Sequence, residues 1–319
     1  MQLNTRTTMP SILITGAAGF IGYHLQNQMQ KKHLASGIDL LEKPTRPVAL
    51  RAQNLRYLSH GNIHSAFIDV LENKPDIVIH LAAETGVSAS LLHPEKYYAT
   101  NVQGTFNVLE QCRKNGVKYF IYASSSSVYA PNQTIMYEHS DTSLQLSFYG
   151  TTKKMTEVMI ENYCAQFGIT AIGLRFFTVY GSFTRPDMAA YKFMQAIEEG
   201  NKIILYNTGQ VMRDFTHVSD IVKSIELITE KIVTEKPATH RIFNIGFGQP
   251  ASVLHYAELI AELLGKPITL DFKPLPPNEL LSTHSNSDNL FKYIEFRPQV
   301  TLQEGIKEMT DWFKGTKYA

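Results

Sequence analysis

A glycine-rich turn near residue 16 constrains the fold of this chain more than any other feature. The apolar run Ile12–Thr15 leads directly into Gly16–Gly22, which reads G-A-A-G-F-I-G, and an amphipathic stretch follows. In a strand–turn–helix unit the first glycine permits a tight turn, the second lets a ligand approach the backbone, and the third lets helix and strand pack closely. The spacing predicts such a unit, although three glycines alone also fit a purely structural turn.

Short apolar runs alternate with amphipathic ones along most of the chain. We predict strands at Ile12–Thr15, Ser36–Asp39, Leu55–Leu58, Ile77–Leu81, Tyr119–Ala123, Thr170–Phe176 and Ile242–Ile245. Helical stripes lie between them, formed by Ile63, Ala66, Phe67, Val70 and Leu71 and by Val102, Phe106, Leu109 and Cys112. Nearly continuous apolar strands separated by such helices are typical of a parallel sheet covered on both faces. The predicted fold class is α/β, with a Rossmann-type doubly wound parallel sheet.

The length of 319 residues suits about two domains. After about residue 178 prolines and loops become more frequent, which indicates a smaller C-terminal mixed α/β domain. Ile242–Ile245 fits as a strand that returns to the first sheet. We therefore predict a first domain at 11–178 with a discontinuous return near 214–246, a second domain at 179–213 and 247–315, and a loose N-terminal extension at 1–10.

The composition excludes several classes of protein. Lys and Arg number 30 and Asp and Glu 29, a net charge of +1, which argues against a nucleic-acid partner or a polybasic membrane surface. No apolar stretch has the length of a transmembrane helix. Cys112 and Cys164 are too few for a disulfide framework and fit a reducing compartment, so we expect a cytoplasmic protein. The 11 His residues lack metal-ligand spacing, and we predict no metal site.

An acidic residue after the second predicted strand indicates the ligand of the turn. Asp39 lies 20 residues beyond Gly19, where a carboxylate binds the ribose hydroxyls of a dinucleotide. An NADP site favours Arg in that region, whereas two leucines follow Asp39 and the nearest basic residues, Lys43 and Arg46, lie further on. The strand, the glycines and Asp39 together predict an NAD site.

A tyrosine, a lysine and a run of serines are candidates for catalysis. Tyr149 and Lys153 are four residues apart and would share one face of a helix. A cation beside a tyrosine stabilises the phenolate and lowers its pKa, as a general base requires. The predicted strand Tyr119–Ala123 leads into Ser124–Ser127, and open α/β sheets bind ligands at the carboxyl ends of strands. Taken separately, a solvated Tyr–Lys pair and a loop of helix-capping serines are the alternatives.

These pieces together resemble the extended short-chain dehydrogenase/reductase family, and within it the nucleotide-sugar epimerases. The matching segments span most of the chain: Gly16–Gly22, Asp39, His80–Ala83, Asn101–Thr105, Ser124–Tyr129, Tyr149–Lys153, Leu174–Gly181 and Arg213–Phe215. The resemblance implies that Tyr149 is acid and base, that Lys153 binds the nicotinamide ribose and tunes Tyr149, and that Ser125 bonds the sugar 4-hydroxyl. It places these residues at the cofactor: Gly16, Gly19, Phe20, Ile21, Gly22, Asp39, Asn62, Ile63, Leu81, Ala82, Ala83, Asn101, Tyr149 and Lys153.

The residues beside Ser125 separate the reactions of this family. Its dehydratases carry Asp-Glu at the positions of Ser126 and Ser127, and its decarboxylases carry Glu at the second. Both positions lack a carboxylate here, which favours redox-neutral epimerisation at C4 of a UDP-sugar through a 4-keto intermediate. A net oxidoreductase of the same fold and a non-catalytic NAD-binding module are the alternatives.

The segment Arg185–Ala189, R-P-D-M-A, resembles UDP-glucuronate 4-epimerases more than galactose epimerases. By that resemblance Thr178 and Arg185 would contact the sugar carboxylate, with Ser126 as a further donor, and Arg213 would meet the diphosphate. A salt bridge between Arg185 and an acid such as Asp187 is the alternative role. UDP-glucose and UDP-N-acetylglucosamine are the alternative substrates.

Several segments depart from the family pattern, among them Ser182–Thr184 and Val128–Ala130, and two departures concern the ligands. The adenine-contacting Gly-Asp pair is Gly61-Asn62 here, and Asn62 can still accept from the adenine amino group. The Pro-Gly-Asp loop near the diphosphate is here Pro276–Glu279, P-P-N-E, which leaves a different substrate open. In related proteins the helices that contain Asn101 and Tyr149 pair two subunits, which predicts a homodimer. Residues for that contact, or for the core, are Phe106, Leu109, Met155 and Met159.

Overall fold

The computed structural model of the chain describes residues 10–40, 58–60, 63 and 74–317. The strands are β1 Ser11–Thr15, β2 Leu34–Asp39, β3 Leu58–His60, β4 Ile77–His80, β5 Tyr119–Ser125, β6 Thr170–Phe176, β7 Thr178–Tyr180, β8 Lys202–Tyr206, β9 Met212–Arg213, β10 Phe215–His217, β11 His240–Ile245, β12 Ala251–Ser252 and β13 Thr269–Lys273. The helices are α1 Phe20–Met29, α2 Val87–Leu92, α3 Pro94–Tyr97, α4 Thr105–Asn115, α5 Phe148–Phe167, α6 Ala189–Glu199, α7 Val218–Ile232, α8 Val253–Leu264, α9 Asp288–Ile294 and α10 Leu302–Lys317. A π-helical stretch, Tyr98–Gly104, joins α3 to α4, and a 3₁₀ turn, Ser126–Val128, follows β5.

Seven parallel strands form the main sheet, in the order β3-β2-β1-β4-β5-β6-β11. The predicted doubly wound parallel sheet is confirmed, and β11 returns beside β6 with Ile242 opposite Gly173. The predicted strand Leu55–Leu58 corresponds to β3, which begins at Leu58. Residues 55–57 and the predicted helical stripe after Ile63 lie outside the described residues.

Helices cover both faces of this sheet because its strands are apolar on both sides. On β1, Ile12 and Ile14 face the side of α1 and α7, while Leu13 faces the side of α4 and α5. All three side chains are fully buried, and each such burial stabilises the fold by roughly 1.5–3 kcal/mol.

The predicted apolar stripe of α4 is wrong at one position. Leu109 is fully buried, whereas Phe106 is 40 % exposed. The π-helical stretch before α4 shifts the helical phase, so that Thr105 rather than Phe106 faces the interior. Cys112 and Cys164 are free thiols, and both are buried.

A smaller group of elements carries its own core. β8 pairs with β13 and β7 with β10, both parallel, while β9 pairs antiparallel with β12. Helices α6, α8 and α10 pack together around Met194, Tyr256 and Met309. Among the residues that the structure describes, no helix combines the length and apolarity needed to span a membrane.

The order of the main sheet reverses between β1 and β4. Connections leave such a switch point in opposite directions and open a crevice beyond the carboxyl ends of the strands. Gly16 follows β1 and Leu81 follows β4, so both segments border this crevice.

Candidate functional site

The glycine-rich turn bends from the end of β1 directly into α1. Gly16 has φ +72°, a conformation that favours glycine, and a Cβ there would lie 2.6 Å from the backbone nitrogen of Ala82. A Cβ on Gly22 would lie 2.1 Å from the carbonyl oxygen of Gly16. The turn therefore needs glycine at both positions, and it presents the amino end of α1, which attracts anionic groups.

Asp39 closes the other side of this turn. Its Oδ2 accepts from the backbone N–H of Ala18 at 2.7 Å, and its Oδ1 accepts from that of Leu40 at 2.7 Å. The carboxylate is thus fixed at the carboxyl end of β2, beside the glycines.

One cavity of about 580 Å³ runs from the glycine turn to the ends of β5 and β7. Most of the residues predicted at the cofactor and sugar line it: Gly16, Gly19, Phe20, Ile21, Gly22, Asp39, Ile63, Leu81, Ala82, Ala83, Ser125, Tyr149, Lys153, Thr178 and Arg185. They come from widely separated segments that only the sheet brings together. Asn62 lies outside the described residues.

Ser125, Tyr149 and Lys153 meet in this cavity. Ser125 ends β5, and its hydroxyl lies close enough to Tyr149 to lower the pKa of the phenol. Lys153, one turn further along α5, donates from Nζ to the carbonyl oxygen of Ala123 at 2.9 Å. Its Nζ lies 6.0 Å from the centre of the Tyr149 ring. The end of β5 therefore holds both the hydroxyl and the ammonium close to the phenol.

The pKa of Tyr149 departs from the sequence-based expectation. Burial raises it, and the Ser125 hydroxyl and the charge of Arg185 only partly oppose that rise. Burial also lowers the pKa of Lys153 to about 8. The net shift of the Tyr149 pKa is upward because desolvation of the phenolate outweighs the neighbouring groups.

The serines at the end of β5 and just after it have separate roles. Ser124 lines the cavity, but its hydroxyl donates to Glu157 at 2.6 Å, a buried carboxylate that also receives two hydrogen bonds from Arg175. Ser125 faces the cavity and also accepts from the backbone N–H of Ser127 at 3.1 Å. Ser126 begins the 3₁₀ turn and is not among the residues that line the cavity. The structure does not bring this predicted substrate donor to the site.

His80 lies in a buried chain of hydrogen bonds beneath the cavity. Its Nδ1 is 2.7 Å from Thr15 Oγ1, and its Nε2 is 2.9 Å from Thr105 Oγ1. Thr105 donates to the carbonyl oxygen of Asn101 at 2.6 Å, so His80 must donate from Nε2 and accept at Nδ1. Burial lowers the pKa of His80 to about 3, which keeps the ring neutral.

Asn101 extends this network rather than lining the cavity. Its amide accepts from the backbone N–H of Glu84 at 2.8 Å and donates to the carbonyl of Glu84 at 3.0 Å. It also donates to Thr152 Oγ1 at 3.0 Å, and Thr152 donates to the carbonyl oxygen of Tyr149. The residue predicted to line the cofactor site instead holds the loop after β4 against the first turn of α5.

Acid should destabilise this network through His80. Its folded pKa lies below its unfolded value, so the unfolded chain binds more protons between pH 6.5 and 3, and stability falls as pH falls through that range. The expected contribution of His80 is a loss of about 2 kcal/mol from pH 7 to pH 5. Urea unfolding at both pH values checks it: His80→Gln should be less stable at pH 7 but lose less on acidification. His255→Gln, at an exposed position of α8, controls for loss of a histidine. Equal losses in the wild type and His80→Gln would contradict the assignment.

Arg185 reaches the cavity from the loop before α6. Its Nε donates to Asp187 Oδ1 at 2.9 Å, and its Nη1 donates to Thr85 Oγ1. Its charge lies close enough to Tyr149 to influence the pKa of the phenol. Arg185 therefore forms a salt bridge with Asp187 and also lines the cavity. The sequence had left these two roles as alternatives.

Arg213 is not among the residues that line the cavity. Its Nη2 donates to Glu279 Oε2 at 3.0 Å and its Nη1 to the carbonyl oxygen of Leu280 at 2.8 Å. The segment Pro276–Glu279, which departs from the family pattern, thus supplies the partner of this guanidinium. Arg213, which was predicted to bind the diphosphate, is instead bound to Glu279 and Leu280.

Sequence reasoning missed several cavity residues, including Glu84, Thr85, Thr100, Phe177 and Asp187. Thr85 gave a usable signal, since it closely follows His80–Ala83 at the carboxyl end of a predicted strand. Thr100 gave none, because its approach to the cavity depends on the π-helical stretch.

One group of possible metal ligands occurs among the described residues, formed by His33, Glu226 and Glu230. Glu226 is already paired with Lys32 at 2.8 Å and Lys223 at 2.9 Å. Glu226 is fully buried, and these two cations supply its counter-charge.

Comparison with known proteins gives a consistent result. The model of the NAD dependent epimerase/dehydratase family matches residues 12–246. Protein CapI of Staphylococcus aureus is 35% identical, over 95% of this chain and 98% of that protein. A probable UDP-glucuronate 4-epimerase of Rhizobium meliloti is 32% identical, over 94% and 96%. The crystal structure of UDP-glucuronic acid 4-epimerase from Bacillus cereus, in complex with UDP-glucuronic acid and NAD, has a TM-score of 0.88 at 29% identity, over 96% and 99% of the chains.

The chain therefore belongs to the NAD dependent epimerase/dehydratase family. The resemblance inferred from the motifs is confirmed.

Proposed function

We propose that the protein is an NAD-dependent 4-epimerase of UDP-glucuronate, which interconverts it with UDP-galacturonate. The observation that carries this proposal is the cavity itself: Ser125, Tyr149, Lys153 and Arg185 converge in a space that begins at the glycine turn. The relatives from Rhizobium meliloti and Bacillus cereus, with UDP-glucuronate 4-epimerase in their names, support the choice of sugar.

The residues present fit NAD. The Cβ-free surface at Gly16 and the amino end of α1 suit a pyrophosphate, Asp39 suits the adenosine ribose, and Lys153 suits the nicotinamide ribose. Leu81, Ala82 and Ala83 would form the adjoining wall, and Asn62 and Ile63 would meet the adenine. When bound, NAD supplies a hydride acceptor that later returns the same hydride.

Tyr149 is the proposed acid and base. As the phenolate it takes the proton of the sugar 4-hydroxyl while C4 is oxidised, and Ser125 holds that hydroxyl by a hydrogen bond. Lys153 favours the phenolate by its charge. After the 4-keto sugar turns over, Tyr149 returns the proton to the oxygen at C4, so configuration is inverted without net oxidation.

The walls of the site favour this reaction over its relatives. Elimination or decarboxylation in this family uses carboxylates beside the catalytic serine, and Ser126 and Ser127 occupy those positions. Arg185, with Thr178 nearby, provides the cation and hydroxyl that suit a sugar carboxylate. Diphosphate binding by Arg213 would require Glu279 to be exchanged for the ligand.

A panel of UDP-sugars tests this proposal. The purified protein should convert UDP-glucuronate to its 4-epimer much faster than UDP-glucose or UDP-N-acetylglucosamine, without build-up of NADH. A preference for either neutral sugar would replace the substrate, stoichiometric NADH would indicate a net oxidoreductase, and NAD binding without turnover of any sugar would indicate a binding module.

We also propose a homodimer formed through α4 and α5. These helices carry exposed apolar side chains at Phe106, Met155 and Val158, and Tyr98 lies beside them before α4. Light scattering should give twice the monomer mass for the wild type and the monomer mass for Phe106→Glu with Val158→Glu. Leu144→Glu, on an exposed loop, should stay dimeric; a monomeric wild type would refute the assembly.

The division into a cofactor domain at 11–178 with a return near 214–246 and a sugar domain at 179–213 and 247–315 stays a proposal. The separate cores around Ile12 and Tyr256 support a division into two domains, although Leu290 and Ile294 pack in the first core and Phe215 packs in the second. We further propose action in the cytoplasm, since Cys112 and Cys164 are unpaired, and a product that serves polysaccharide biosynthesis.

A further inference from the structure

The guanidinium of Arg185 is held from two sides. Arg185 donates from Nε and Nη2 to the two carboxylate oxygens of Asp187, and from Nη1 to Thr85 Oγ1. A guanidinium has five N–H donors. These three contacts leave two of them, one on each terminal nitrogen.

The backbone of Thr85, whose hydroxyl accepts from Arg185, is itself held in place. Thr85 lies in the loop after β4, and the phenol of Tyr97 donates to its carbonyl oxygen at 2.6 Å and lies 2.9 Å from that of Gly86. Tyr97 is buried, and its ring meets the ring of Tyr149 edge to face, with centroids 6.2 Å apart. The position of Thr85 is therefore tied to the same wall as the proposed base.

We propose that Thr85 and Asp187 are positioning residues for substrate specificity, which hold Arg185 with its two remaining donors available to the carboxylate of the sugar. This inference rests on the proposed function. A free arginine side chain loses rotamer entropy on binding, and a side chain that is fixed beforehand loses less.

Thr85 and Asp187 should not contribute equally to the position of Arg185. The Arg185–Asp187 pair is partly open to solvent, at 30% and 57% side-chain exposure, where ion pairs contribute little. Thr85 supplies an acceptor inside the cavity, and an arginine N–H left without it there would be costly. Thr85 is therefore expected to be the stronger determinant.

Thr85→Val tests this directly, because it keeps the shape of the side chain and removes the acceptor. We expect the KM for UDP-glucuronate to rise about ten-fold with kcat within about two-fold, while Thr85→Ser restores the wild-type KM. Asp187→Asn should raise KM by about three-fold. The Kd for UDP, measured by calorimetry, should be unchanged in all three variants. A general disturbance of the site would instead weaken UDP binding.

Arg185→Ala, measured in parallel, distinguishes the positioning role of Thr85 from the proposed binding of the carboxylate by Arg185. If it raises KM for UDP-glucuronate and Thr85→Val does not, the positioning role is overturned and the proposed function stands. If Thr85→Val weakens UDP binding and lowers kcat together, or if Thr85→Ser fails to restore KM, Thr85 has a structural role only. If Arg185→Ala leaves KM unchanged, the carboxylate site and this inference both fail.

Discussion

Replacing Tyr149 by Phe should abolish turnover, with kcat falling by at least about a thousand-fold, as expected when a general acid–base group and its charge are lost together. The substitution removes one oxygen atom and leaves the ring against Tyr97. Lys153 keeps its hydrogen bond to Ala123, so the cofactor side of the cavity should be preserved. NAD binding by calorimetry and the melting temperature should therefore stay near wild-type values.

Tyr119→Phe is the matched control for this substitution. The Tyr119 hydroxyl donates to the carbonyl oxygen of Val233 at 3.2 Å, and Tyr119 is not among the residues that line the cavity. Its loss should leave kcat unchanged. A Tyr149→Phe protein that retains a tenth of the wild-type kcat would show that another group moves the proton.

Arg185→Ala should have the second largest effect, and it should depend on the sugar. Loss of a charge-assisted contact to a carboxylate costs roughly 2–3 kcal/mol, which corresponds to about a hundred-fold in kcat/KM for UDP-glucuronate. A neutral hexose offers no carboxylate, so any turnover of UDP-glucose should change little by comparison. The ratio of kcat/KM values for the two sugars is the quantity to measure.

Arg297→Ala controls for the loss of an arginine. Arg297 pairs with Asp288 on α9 and is well exposed, and both sugars should be unaffected. Equal losses on UDP-glucuronate and UDP-glucose in Arg185→Ala would mean that the guanidinium serves the structure of the site through Asp187, and not the carboxylate.

Local sequence signals carried much of the fold and of the cofactor side of the site. The run into Gly16 and the nearly continuous apolar strands are visible locally, so the parallel sheet and the return of β11 to it were predictable. Predictions failed where an irregular helical turn or a neighbour distant in sequence decides the outcome. Phe106 is exposed because the π-helical stretch precedes α4. The side chain of Asn101 hydrogen-bonds the backbone of Glu84 and does not line the cavity.

The substrate side of the site was harder to predict because the partners of its charged side chains are set by the three-dimensional fold. Arg213 forms a salt bridge with Glu279, and Arg185 donates a hydrogen bond to Thr85. Each pair joins segments far apart in the chain, and no periodic pattern indicates such a contact. Desolvation is equally invisible in sequence, so the upward shift of the Tyr149 pKa was not expected.

The fate of the hydrogen at C4 tests the central claim most directly. UDP-glucuronate labelled with deuterium at C4 should give UDP-galacturonate that keeps the deuterium at C4, followed by NMR, because the hydride leaves and returns within one active site. NADH absorbance should not accumulate. Loss of the label to solvent, or its appearance on released NADH, would contradict redox-neutral epimerisation.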